Sequence, residues 1–167
     1  VNKVSVFVDI TDLYYKLHRT FGSGKLDYVK YLDKVKEITG KEVATAVAYG
    51  CQDNNEAASF IGYLRSVGFK TKYKRPYILK VEERNIKRCN WVGSIAVDTI
   101  KDEASTIVIC SSNPDIMPII KSLIDDYQKE VIIIACNIPS NLKNILGNNA
   151  IEIEKELLEN VSDTHKS

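Results

Sequence analysis

Five residues in this chain have the types and positions that could do chemistry. Asp9 closes the apolar run KVSVFVD and Asp12 follows one helical turn later. Asp115 comes just after a second apolar run, TIVIC, behind Asn113 and Pro114, and Asp98 lies in the segment before that run. Carboxylates gathered on one edge repel and raise each other's pKa unless a cation sits among them. Mg²⁺ or Mn²⁺ takes oxygen ligands and favours phosphate-bearing substrates. Such an ion activates water and stabilises the charge of a phosphodiester transition state. The competing explanation is capping: Asp or Asn at a strand end satisfies the free N–H groups of the next helix and complements its dipole. Asp9, Asp12 and Asp115 suit both.

Other chemistries find less support. Neither GxGxxG nor GxxxxGK[ST] occurs, which disfavours a dinucleotide or nucleoside triphosphate site. The chain has two histidines, and His165 lies in a polar tail, so a Ser-His-Asp or Cys-His mechanism would have to run through His18, inside an amphipathic helix. Cys51, Cys89, Cys110 and Cys136 form no CxxC pair and are expected to be small reduced thiols. The longest wholly apolar stretch is residues 131–136, far below the roughly 18 a membrane span needs. The chain opens directly on a strand-like run, so no membrane and a cytoplasmic setting are expected.

The elements that must position the aspartates follow from periodicity. Residues 3–9, 42–49, 106–110 and 131–135 are short, β-branched and apolar, as buried strands are. Residues 12–21, 27–39, 90–103 and 113–127 carry helical spacing, as does a segment reaching Val67 from a cap at Asn54 or Asn55. Thr11 is the expected cap of the first helix. The fourth has Asn113 as N-cap and Pro114 at its first position. Residues 70–75 read as an exposed edge strand, 76–89 as a loop or hairpin, 140–146 as a short helix and 151–153 as a last strand. Val- and Ile-rich strands alternating with helices predict βαβ units: an α/β three-layer sandwich, a mostly parallel sheet with helices on both faces. Residues 1–160 form the domain and 161–167 a tail. Sites in such folds lie beyond the carboxyl ends of the strands, here at residues 9–12, 50–53, 111–115 and 136–140. A chain of 167 residues with 44% hydrophobic and 27% charged residues is long enough for one core without disulfides. Its net charge of +1 argues against a protein that coats nucleic acid over its whole surface, but allows a basic face.

Three blocks, in order and spacing, resemble the NYN domains, the LabA-like group of PIN-like nucleases. Val8-Asp9-Ile10-Thr11-Asp12-Leu13-Tyr14 is similar to the family's V-D-G-x-N-L-Y. Asn90-Trp91-Val92-Gly93-Ser94-Ile95-Ala96-Val97-Asp98 resembles its W-D-V-x-I-A-x-D helix, and TIVICSSNPDIMP its strand followed by S-G-D-S-D-F-x-P. The resemblance covers roughly residues 3–135. It implies a PIN-like Rossmannoid fold and a divalent-metal ribonuclease that leaves a 5′-phosphate and a 3′-hydroxyl. Carried over by position, Asp9, Asp12, Asp98 and Asp115 are the catalytic acids, and Asp9, Asp12, Asn113 and Asp115 would hold Mg²⁺ or Mn²⁺. Two positions depart from the pattern: Val92 stands for the Asp that opens the helix block, and Asn113 for the first Asp of D-S-D. Asp98 cannot take Val92's place, because six residues along a helix is about 9 Å and about 240° around it. It would act behind the metal ligands or in a salt bridge. These departures keep a second function open, a pseudo-nuclease that binds RNA or a protein without cutting.

The expected partner is single-stranded RNA; a homodimer stays open. Between Lys70 and Arg88, eight basic residues stand against Glu82 and Glu83, interleaved with Tyr73 and Tyr77. Cations hold phosphates and rings stack on bases. Lys74, Arg75, Arg84, Lys87 and Arg88 are the candidates, together with Ser112, which replaces the family's Gly. The alternative is that lysines protect an exposed sheet edge from pairing.

Overall fold

A computed structural model describes residues 2–52 and 57–159, apart from the side chains of residues 86–88. The expected caps Asn54 and Asn55, Asp53, His165 and the tail 161–167 lie outside the described residues. In chain order the elements are β1 (Lys3–Asp9), α1 (Ile10–Phe21), α2 (Tyr28–Thr39), β2 (Glu42–Cys51), α3 (Ala57–Val67), β3 (Lys70–Lys74), β4 (Tyr77–Val81), β5 (Arg84–Arg88), α4 (Val92–Lys101), β6 (Thr106–Cys110), α5 (Met117–Asp125), β7 (Glu130–Ala135), α6 (Ser140–Leu146) and β8 (Ala150–Glu152).

Six strands make one sheet in the order β3-β2-β1-β6-β7-β8, every pair parallel. The central strands are buried on both faces, which is why they read as unbroken apolar runs rather than alternating ones. From β1 the chain winds outward to β2 and β3; from β6 it winds the other way to β7 and β8. Right-handed crossovers then put α1, α2 and α3 on one face and α4, α5 and α6 on the other. Contacts between α2 and α3, and between α4 and α5, agree. The point where the order reverses lies between β1 and β6, beside Asp9.

Local chemistry sets the element ends. Asp9, not Thr11, caps α1: its extended backbone lets the carboxylate accept the Asp12 N–H at 3.2 Å, and Thr11 lies inside the helix. Gly22 ends α1 in the left-handed region, at φ 73°. The expected helix 113–127 is divided. Asn113 does accept the Asp115 N–H, but residues Pro114–Ile116 form a 3₁₀ turn in which the Met117 N–H bonds the Pro114 carbonyl. Pro118 has no N–H to give that carbonyl, so α5 starts afresh at Met117. The edge strand β3 lies where the spacing of exposed lysines predicts it, and β4 and β5 form a separate two-stranded antiparallel hairpin.

One expectation about the cysteines is overturned. Cys110 and Cys136 are buried thiols, but Cys51 and Cys89 are joined in a disulfide across 38 positions. The carboxyl end of β2 and the chain leaving β5 meet there, a proximity that no sequence spacing encodes.

Gly50 of β2 faces Tyr73 across the ladder, and a Cβ built there would come within 2.6 Å of the tyrosine ring. Gly50→Ala is therefore expected to destabilise by about 1–3 kcal/mol, the usual cost of overpacking, measured as a lower denaturant midpoint with an unchanged slope.

Candidate nucleic-acid interface

A cleft of about 600 Å³ opens at the carboxyl ends of β1 and β6. Asp9 and Trp91 line its base, both nearly inaccessible at 4% and 6% exposure. Thr11, Asp12, Tyr15, Lys16 and Arg19 of α1 form one wall; Tyr77, Asn85 and Cys89 of the hairpin region form the other. Asn113 joins them from beyond β6. The α1 wall is a consequence of helical spacing: residues 12, 15, 16 and 19 share one face.

The electrostatics are uneven. Burial pushes the Asp9 carboxyl up to about 7, the hydrogen bond from the Asp12 N–H offsetting part of it. Asp12 is fully engaged. Its Oδ2 accepts the Ser112 N–H at 3.0 Å and the Ser112 hydroxyl at 3.2 Å. Its Oδ1 lies 3.5 Å from Lys16 Nζ. Lys16 in turn donates to Ser112 Oγ at 2.8 Å and to the Ser112 carbonyl at 3.4 Å. Ser112 is thus a buried bridge between α1 and the segment after β6.

The other expected residues are scattered. Asp98, on α4, accepts from Lys72 Nζ at 2.7 Å and from the Tyr49 hydroxyl at 2.6 Å. Burial works against its charge, but these two hydrogen bonds outweigh it and hold the carboxyl below the ordinary range. Asp115 is exposed on the 3₁₀ turn. Neither lines the cleft. Among the described residues, no group of three or more His, Cys, Asp or Glu is placed to hold a metal ion. Lys74 reaches the cleft's base: its Nζ lies 4.1 Å above the Trp91 ring and donates to the Asn90 carbonyl. Arg75 and Arg84 are exposed. Lys87 and Arg88 belong to β5, and their side chains lie outside the described ones.

Lys16 and Arg19 were not anticipated from the sequence. The signal was present, in two cations at positions i+4 and i+7 from Asp12 on an otherwise amphipathic helix, but nothing in that spacing says which side of α1 faces the cleft.

The family model described as NYN domain matches residues 3–153. Among solved structures, a Vibrio parahaemolyticus protein of unknown function is 23% identical, with a TM-score of 0.75 over 95% of this chain and 96% of that one. At that identity the likeness speaks for the fold. No curated protein matches the chain. No helix among the described residues is long and apolar enough to cross a membrane.

Proposed function

The chain belongs to the NYN domain family, whose fold is nuclease-like, and on that premise we propose that it is an RNA-binding member whose cleft holds a single strand without cutting it. The observation that carries this reading is the seat of Lys16. Its ammonium lies against Asp12 and Ser112, so the positive charge that the acidic edge needs is supplied by the chain itself. The residues present do not fit a divalent cation. Val92 has no ligand atom, Asn113 spends its Oδ1 on the Asp115 N–H at 2.9 Å, and Asp98 is committed to Lys72 and Tyr49. What remains for phosphates is Arg19 on the α1 wall and Lys74 over Trp91 at the cleft's base, with the exposed rings of Tyr15 and Tyr77 for bases.

A weak Mg²⁺- or Mn²⁺-dependent ribonuclease is the second reading, and one observation favours it. Asp9 is a buried carboxyl with a strongly raised pKa in a cleft at the topological switch point, as functional acids are.

One assay separates the two. With Mn²⁺ and a labelled single-stranded RNA, wild type and Asp9→Asn are both expected to bind the RNA and to leave it equally intact. Cleavage that Asp9→Asn abolishes would remove the binding-only reading. Adding Mg²⁺ or Mn²⁺ should leave the melting midpoint unchanged, since only a site in the folded state raises it. The binding itself should be salt-dependent. Two cations, Arg19 and Lys74, at about 0.7 per phosphate on a single strand predict a slope near −1.4 in log K against log salt. Arg19→Ala should weaken binding and bring the slope to about −0.7; an unchanged slope would place the strand elsewhere.

A further inference from the structure

The hairpin wall of the cleft stands apart from the main sheet. Its two strands pair only with each other, and every residue of β4 is exposed, including Ile78 at 62% and Tyr77 at 49%. The chain leaving the hairpin's second strand is joined to the body by the bond from Cys89 to Cys51, at the carboxyl end of β2. Both partners are partly accessible, and Cys89 lines the cleft. Cys110 and Cys136, by contrast, are buried at 0% and 2% exposure. A disulfide that staples an exposed wall and can be reached from solvent belongs to the labile, regulatory kind rather than the structural kind.

We propose that Cys51 and Cys89 are a redox-modification site that latches the hairpin wall of the cleft, closed as the disulfide and released as the dithiol. The functional consequence rests on the cleft being the RNA site proposed above. In the reductive direction, one thiolate of a dithiol reductant attacks Cys89 Sγ. The S–S bond breaks, and Cys51 leaves as a thiolate and takes up a proton, with the Thr11 hydroxyl 3.8 Å away to stabilise it. The second thiol of the reductant attacks the mixed disulfide, releases Cys89 and closes the reductant's own disulfide. In the oxidative direction, a disulfide-class oxidant accepts the two electrons and two protons that the cysteines give up. Release frees Cys89 and the strand before it, which carries Asn85, from the end of β2 and uncovers Trp91 beneath.

The chain has one tryptophan, so Trp91 reports the latch directly. Protein with the disulfide intact is compared with protein treated with dithiothreitol, thiol titration confirming two newly released thiols and far-ultraviolet circular dichroism confirming the same fold. Acrylamide should quench Trp91 more strongly in the reduced protein. Affinity for a labelled oligouridylate should differ at least about fivefold between the states, the lower end of usual coupling between sites. Cys51→Ser with Cys89→Ser should match the reduced protein and ignore dithiothreitol. Equal quenching in both states overturns the latch whether or not RNA binds. A change in quenching with no RNA bound in either state keeps the latch and removes the RNA reading. Equal affinities with unequal quenching overturn its control of binding. Should the double variant not fold, the two states of the wild type decide alone.

Discussion

Asp9→Asn is expected to make the protein more stable at pH 8 than the wild type, and no more stable at pH 4. The Asp9 carboxyl is buried, and its pKa is pushed from the ordinary 3.8 up to about 7. Between those values the folded protein keeps a proton that the unfolded chain has released. Stability therefore falls as pH rises from about 4 to about 7, and above that the full cost of the buried charge is present. The difference between about 7 and 3.8 corresponds to roughly 4 kcal/mol as an upper value. Asparagine does not titrate, yet its Oδ1 can accept the Asp12 N–H as Asp9 does, so the cap of α1 survives. Denaturant unfolding of both proteins across this pH range should show curves that meet at the acid end and diverge above neutrality. Parallel curves would mean that Asp9 is solvated or already paired. A residue that lowers stability where a neutral isostere would raise it is held for function rather than for folding.

The second large effect belongs to the disulfide. Closing a loop of 38 positions removes chain entropy from the unfolded state worth about 4 kcal/mol. Reduction, or Cys51→Ser with Cys89→Ser, should lower the unfolding free energy by about that amount. For a chain of 167 residues, the melting midpoint should then drop by roughly 8–16 °C. The β2–β3 ladder and the core between the sheet and its helices do not depend on the bond. A domain that begins within the usual range of about 5–15 kcal/mol is expected to stay folded at room temperature without it, which makes the two redox states comparable. A loss well below 1 kcal/mol would show that the unfolded chain already holds these segments together.

Much of the architecture was legible because it depends on neighbours along the chain. The runs VFV before Asp9 and VIII after Glu130 are short and β-branched, as strands buried in a parallel sheet are. Asn113 followed by Pro114 announces a helix start, and the alternating lysines of 70–74 announce a sheet edge. Even the errors were local. Thr11 and Asp9 are both able caps, and which one serves depends on where β1 releases the chain. The break at Pro118 was written in its missing N–H.

The site was less legible, because its contacts join distant positions. Lys16 meets Ser112 across 96 residues and Lys72 meets Asp98 across 26. The types and order of residues dictate the strands, the caps and the family pattern, down to the valine and asparagine that stand where acids are usual. The arrangement β2-β1-β6 alone brings α1 beside the segment after β6. It turns Lys16 into Asp12's partner, sends Asp98 to Tyr49 and joins Cys51 to Cys89. The physical reason is range: backbone preferences act over a few residues, whereas charge pairing and sulfur bonding act over a few ångströms, and only the folded sheet converts one distance into the other.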